Sequence, residues 1–251
     1  MPREALAEAG RDWPDPLAYE GWPAEAILGV ALARDFRGRI ALVSSFGAES
    51  VVLLHMVAQI DRATPVLFGQ TQMLFPETIA YQAEVAARLG LTDVRHMTPD
   101  AADVAGLDPE GLLHRYDPDA CCALRKVAPL ARALAPFDAW INGRKRGQSA
   151  TRAGLGVVER DADGRVKINP LADWSREDVA AYMDRHDLPR HPLVAKGYPS
   201  IGCAPCTTPV APGEDPRAGR WRGRQKNECG IHLVEGRVLR IPGDSAPMDR
   251  F

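Results

Sequence analysis

Ile40-Ala41-Leu42-Val43-Ser44-Ser45-Phe46-Gly47-Ala48-Glu49-Ser50 is the stretch that decides the fold. Its four leading apolar residues form a continuous run of the kind found in strands buried on both faces, and a small, hydroxyl-rich turn with one glycine follows. From Ser50 to Ile60 the pattern becomes helical. Strand, turn and helix recur outward from this unit. Residues 65–68 are another short apolar run, and a helical pattern over 76–89 has Pro76 in its first turn and Gly90 as its stop. Strands are expected over 93–97 and 137–142, separated by a helix over 120–134. This alternation predicts an α/β fold in which helices cover both faces of a twisted parallel sheet, over about residues 23–150.

Beyond Arg152 the texture changes. Residues 157–168 read as a hairpin closed around Asp163-Gly164, and Ser175 with Asp178 forms a capping box for a helix over 176–186. From 188 to 225 proline and glycine dominate without periodicity, and a loop of that length inside a domain implies a site or some other ordering element. The expected layout is one domain over 1–235, with a nucleotide-binding core at about 23–150 and a loop-rich part at about 151–235. A tail covers 236–251.

The chain has 251 residues, 45% of them hydrophobic, and a formal charge of -2. That balance gives no global attraction to nucleic acid or an anionic membrane, so any anion site is local. The first sixteen residues contain no apolar signal region and no run is long enough to cross a bilayer, so a cytoplasmic protein is expected. Five cysteines fall in three places: adjacent Cys121 and Cys122, the C-x-x-C of Cys203 and Cys206, and Cys229 alone. In a reducing compartment such clusters are metal ligands or redox groups rather than a disulfide framework. Two pairs supply four thiolates, a complete tetrahedral sulfur set that suits zinc or a [4Fe-4S] cluster. Adjacent ligands diverge, which favours the cluster over a single small ion. Cys229 is left for chemistry.

In an open parallel sheet, ligands bind beyond the carboxyl ends of the strands. The 44–50 turn is therefore a candidate anion cradle built from backbone N–H groups and serine hydroxyls. It lacks the lysine of a G-x-x-x-x-G-K-[ST] loop. Basic residues gather after the last core strand (Arg144, Lys145, Arg146, Arg152) and ahead of Cys229 (Arg217, Arg220, Arg222, Arg224, Lys226). Folded near Cys229, the second group would raise its thiolate fraction and collect a phosphate or sulfate beside it. His232 is placed to act as a general acid or to pack, while His55 and His96 lie in apolar segments and read as core or surface residues.

Several motifs stand in order along residues 38–235: LFPET from Leu74, CCALRKVAPL from Cys121, WINGRKRGQSATR from Trp140, GYPSIGCAPCTTPV from Gly197, RAGRW from Arg217 and ECGIH from Glu228. Together they resemble the assimilatory adenylyl-sulfate reductases, the iron-sulfur branch of the phosphoadenylyl-sulfate reductase family. The resemblance implies an adenine-nucleotide alpha-hydrolase-like sheet related to ATP pyrophosphatases. It implies thioredoxin-dependent reduction of adenosine 5'-phosphosulfate to sulfite and AMP, through an S-sulfonate on Cys229, in sulfate assimilation for cysteine biosynthesis. By the same resemblance, Cys121, Cys122, Cys203 and Cys206 hold a [4Fe-4S] cluster, which Lys126 links electrostatically to the substrate. Ser45 and Gly47 contact the substrate, and Arg146, Arg217, Arg220 and His232 grip the phosphosulfate or assist AMP departure.

Phe46 replaces a glycine of the S-G-G-x-D-S loop in the ATP-hydrolysing relatives, which argues against ATP hydrolysis. The chain also departs from the family pattern at Gln70-Thr71-Gln72, where Asp-Thr-Gly is common, at Arg222 and Asn227, and in its long tail. Three alternatives remain at this level: a preference for the 3'-phosphorylated substrate, a tRNA-modifying or sulfur-insertion enzyme of the ATP pyrophosphatase type, and a structural zinc protein whose basic segment binds RNA. The oligomeric state is left open, with a homo-oligomer compatible.

Overall fold

The computed structural model describes Asp15 and residues 19–161, 163–224, 226, 228 and 230. Among them are strands β1 (Ile40–Ser44), β2 (Val66–Gly69), β3 (Val94–Met97), β4 (Ala139–Ile141), β5 (Val158–Arg160) and β6 (Val166–Ile168). The helices are α1 (Ala24–Val30), α2 (Ser50–Ile60), α3 (Pro76–Leu89), α4 (Ala101–Leu107), α5 (Leu113–Tyr116), α6 (Pro118–Cys122), α7 (Ala128–Leu134) and α8 (Arg176–Arg185). The strands form one sheet in the order β3-β2-β1-β4-β6-β5. All neighbours run parallel except β5, which pairs antiparallel with β6. The hairpin expected beyond Arg152, turning at Gly164 with φ +83°, thus joins the core sheet through β6 and β4.

Side chains on β1 alternate between faces as the pleat requires. Ile40 and Leu42 enter the larger apolar cluster with residues of α1, α2, α3 and α8. Ala41 enters the smaller one with Trp140 and with Leu130 and Leu134 of α7. Helices therefore cover both faces, as the alternating pattern predicts. α3 starts with Pro76 and ends where Gly90 takes φ +66°, and α8 carries the reciprocal Ser175–Asp178 cap.

The helix expected over 120–134 is not uniform. A π-helical turn, Ala123–Val127, separates α6 from α7. Pro129 has no N–H to donate to the Arg125 carbonyl four residues earlier, so a regular α-helical ladder is interrupted here. The widened turn carries Arg125 and Lys126.

Candidate active site

β1 has β2 on one side and β4 on the other, so chain crossovers diverge at this point and open a crevice beyond the carboxyl ends. A cleft of about 270 Å³ lies there. Ser45, Gly47, Glu49 and Ser50 from the turn after β1 line it, as do Asn142, Gly143, Arg144 and Lys145 after β4. The first turn is shaped by its own hydroxyls: Phe46 N–H donates to Ser44 Oγ at 3.1 Å and Gly47 N–H to Ser50 Oγ at 3.0 Å. Phe46 sits at φ +46°, with its ring buried edge-on against Phe68 at 5.2 Å. A left-handed conformation costs a side-chain-bearing residue about 1–2 kcal/mol, and an aromatic pair returns about 1 kcal/mol beyond its burial. Burial of the ring thus supports a bend that otherwise favours glycine.

Arg146 does not line the cleft. Its guanidinium donates to Glu20 Oε2 at 2.9 Å and to the Leu155 carbonyl at 2.7 Å, and pairs with Asp173. Extended backbone at Lys145 sends successive side chains to opposite sides, so Lys145 meets the cleft where Arg146 was expected. Lys145 Nζ donates to Glu49 Oε2 at 2.6 Å, and Arg144 pairs with Glu159.

Arg217 and Arg220 enter from the opposite wall. Their arm is pinned across the C-x-x-C segment: Thr208 N–H donates to the Gly219 carbonyl at 2.9 Å, and a Cβ on Gly219 would lie 2.1 Å from the Thr208 carbonyl oxygen. Only glycine allows that approach. Gly202 makes a softer contact: a Cβ there would lie 2.3 Å from Arg220 Nη2, the far end of a flexible side chain. The Arg220 guanidinium stacks over Trp221 at 4.6 Å, and among the described residues its buried Nε has no hydrogen-bond partner. Glu228 completes the wall. Arg152 donates to it in a fork, Nε to Oε1 at 2.8 Å and Nη2 to Oε2 at 2.7 Å, and Arg217 Nη2 lies 3.7 Å away. Burial pushes the Glu228 carboxyl up, but hydrogen bonding and charge from Arg152, with Arg217 and Arg144, outweigh it and hold the group below the usual carboxylate range.

Cys121, Cys122, Cys203 and Cys206 all line a second, small cavity. The pairs, about 80 residues apart in sequence, are joined through the loop after β2. Leu74 bridges Cys203 in antiparallel fashion, Ala204 N–H donates to the Met73 carbonyl at 2.8 Å, and Thr71 Oγ1 lies 3.2 Å from Cys203 Sγ. Burial, with charge from Cys122, Cys203 and Cys206, pushes the Cys121 thiol up to about 12, and burial with Cys203 also raises Cys206. Behind them Arg125 makes a buried ion pair with Asp108 at 2.7 Å and donates to the Thr71 carbonyl at 3.1 Å. Gln72, one of the departures from the expected pattern, adopts φ +63° and accepts from Arg125 Nη1 at 3.3 Å. Arg222, another departure, forks onto Glu214 at 2.7 and 3.0 Å.

The two cavities share a wall: Arg125, Lys126, Cys203 and Trp221 border both. The sequence expectations for Ser45, Gly47, Lys126, Arg217, Arg220 and the four paired cysteines thus fall on one continuous surface. Cys229 and His232 lie outside the described residues, as does the 236–251 tail. Asp108 carries no signal at its spacing, and Thr71, Arg125 and Glu228 were visible only as parts of motifs.

A model of the phosphoadenosine phosphosulfate reductase domain matches residues 39–209. This chain belongs to that family. Among the family's curated members, an adenosine 5'-phosphosulfate reductase from Mesorhizobium japonicum is 56% identical over 198 residues, covering 79% of this chain and 78% of the relative. A phosphoadenosine 5'-phosphosulfate reductase from Gloeobacter violaceus is 46% identical, covering 90% and 93%. The crystal structure of phosphoadenylyl-sulfate reductase from Candida auris, a phosphate complex, superposes with a TM-score of 0.64 at 26% identity, covering 77% of this chain and 94% of that one. Yeast FAD synthetase, at 16% identity, 79% and 70% coverage and a TM-score of 0.52, shares the fold. The sheet is therefore of the adenine-nucleotide alpha-hydrolase type. Among the described residues no helix is long and apolar enough to cross a membrane.

Proposed function

We propose that this chain reduces adenosine 5'-phosphosulfate to sulfite and AMP in sulfate assimilation, with thioredoxin or a related dithiol protein as reductant. The shared wall carries the reading. The cleft lining holds seven cations (Arg125, Lys126, Arg144, Lys145, Arg152, Arg217, Arg220) against two carboxylates (Glu49, Glu228), and even with Asp108 and Glu159 paired to Arg125 and Arg144 from behind, positive charge is in excess, which suits a phosphosulfate; the lining also touches a four-thiol cavity. The names of the 56% and 46% identical relatives point to the same chemistry.

In this reading Ser45 and Gly47 seat the nucleotide, while Lys126, Lys145, Arg217 and Arg220 take the phosphosulfate. The Cys229 thiolate attacks the sulfonyl sulfur, the sulfur–oxygen bond to AMP breaks, and AMP leaves with the electron pair while His232 assists. Cys229 then carries the sulfonate. A thioredoxin thiolate attacks the Cys229 sulfur and expels sulfite, and the second thioredoxin thiol resolves the mixed disulfide, so the dithiol supplies both electrons.

The four paired cysteines fit a [4Fe-4S] group by donor type. All four line one small cavity, which suits a polynuclear group held by two thiol pairs. Bound there, the group would supply a fixed charge distribution beside the cleft.

Anaerobic sulfite release with thioredoxin, measured on adenosine 5'-phosphosulfate and on its 3'-phosphorylated form, tests the reading. Faster turnover of the first is expected. The Gloeobacter relative's name favours the second substrate as the alternative, and a strong preference for the 3'-phosphate would establish it.

A further inference from the structure

The cleft contains a carboxylate where the proposed substrate would bring an anion. Glu228 is three-quarters buried, at 23% side-chain exposure, and is gripped by Arg152 in the two-point fork that a guanidinium offers to two oxygens of a sulfate or phosphate. Arg217, one of the two arginines expected to hold the phosphosulfate, leans on the same oxygen at 3.7 Å. Arg144, buried at 7% exposure and already paired with Glu159, adds to the field that keeps Glu228 ionised. One carboxylate thus serves two arginines of the cleft wall, and it belongs to the residue immediately before Cys229.

We propose that Glu228 is a positioning residue that fills an anion seat formed by Arg152 and Arg217, and that the sulfate end of the substrate competes for this seat. The inference deepens the reading above and rests on it. Arrival of the substrate's anion frees the Glu228 carboxylate, and because Cys229 is its direct neighbour, occupancy of the seat and the position of the nucleophile are coupled. The seat suits a tetrahedral oxyanion, here the sulfate end of the bound substrate.

The test compares the Cys229→Ser chain, which cannot turn over, with the same chain also carrying Glu228→Gln. Calorimetry would follow binding of adenosine 5'-phosphosulfate, AMP and inorganic sulfate. Removing the internal competitor should tighten adenosine 5'-phosphosulfate and inorganic sulfate about tenfold, the change expected for loss of one competing charge-assisted pair. AMP, which lacks the sulfate, should change less. Equal or weaker sulfate and adenosine 5'-phosphosulfate binding in the Gln variant overturns the inference. Tighter sulfate binding without any adenosine 5'-phosphosulfate binding would sink the substrate reading and leave the seat standing.

A measurement on the unmodified chain guards against a folding defect in the variant. Inorganic sulfate should alter the rate at which iodoacetamide alkylates Cys229, identified by mass spectrometry, and an unchanged rate up to saturating sulfate overturns the coupling. In the Glu228→Gln single variant, a fall in KM accompanied by a fall in kcat marks positioning. A purely structural defect would lower kcat with KM unchanged or raised.

Discussion

The sheet and the segment 188–224 supply facing walls of one cleft, yet they are built by different physics. On the sheet side the wall rests on fully buried apolar residues such as Val51, Leu54, Val66 and Phe68, and shape follows from hydrophobic burial spread over many contacts. On the other side, among the described residues, no helical piece exceeds three residues. Shape there comes from a few directional restraints: the Thr208–Gly219 crossing, the Gly202–Arg220 contact, the buried His191 and the two thiols of the C-x-x-C. The first wall should tolerate single changes, and the second should not, except where the neighbour is the movable end of a long side chain.

The largest effects should arise where the second wall meets the sulfur chemistry. Cys229→Ser should bring sulfite release to background, at least about a thousandfold down, while iron content is unchanged. A variant that keeps turning over would remove the nucleophile from the scheme. Cys203→Ser should lose iron, measured by elemental analysis and visible absorption, and turnover with it, whereas a matched Val66→Ala in the sheet should keep both. Breaking the Arg125–Asp108 pair comes next. Asp108→Asn strands a buried guanidinium, since the two side chains are 5% and 2% exposed, and should cost about 3–5 kcal/mol in denaturant unfolding.

A pH effect of smaller size is expected at the seam between the walls. His191 Nδ1 accepts from Leu193 N–H at 3.2 Å and its Nε2 lies 3.1 Å from Thr78 Oγ1 of α3, and burial pushes its imidazole down from 6.5 to about 4. The ring is neutral in the fold, so its contribution is complete above about pH 6.5 and is lost as pH falls toward 4, where the unfolded chain takes up the proton first. The loss should reach up to about 3 kcal/mol, and His191→Gln should flatten that part of the stability profile. The smallest effect belongs to Gly202→Ala. The added methyl meets the far end of a flexible side chain, so Arg220 shifts and the fold survives, with KM rising about tenfold and melting temperature nearly constant. A large fall in melting temperature would show that the arm has less slack than this comparison assigns it.

The same contrast explains what could be read in advance. Strands β1 to β4, α2 and α3 are local patterns of period and punctuation, and the 76–89 helix with Pro76 and Gly90 was legible to the residue. The π-helical turn at Ala123–Val127 was not, because Pro129 reads equally as a tolerated first-turn proline of a new helix. In the site, cysteine spacing and motifs were legible, while side-chain direction was not. Arg146 and Lys145 are neighbours of similar charge, and only the extended backbone between them decides which one meets the cleft. Asp108, Thr71 and Glu228 gain their roles from contacts 17 to 132 residues away, and no periodicity encodes those.

The hairpin strand β5 has one more consequence. A parallel sheet ending at β6 would offer a bare row of backbone donors and acceptors to other chains, but three antiparallel residues ending in exposed Arg160 occupy that border. At the far border β3 displays exposed Arg95 and His96. Charged, abbreviated margins of this kind discourage strand-to-strand stacking between molecules, so the sheet keeps its ligand crevice without becoming a template for aggregation.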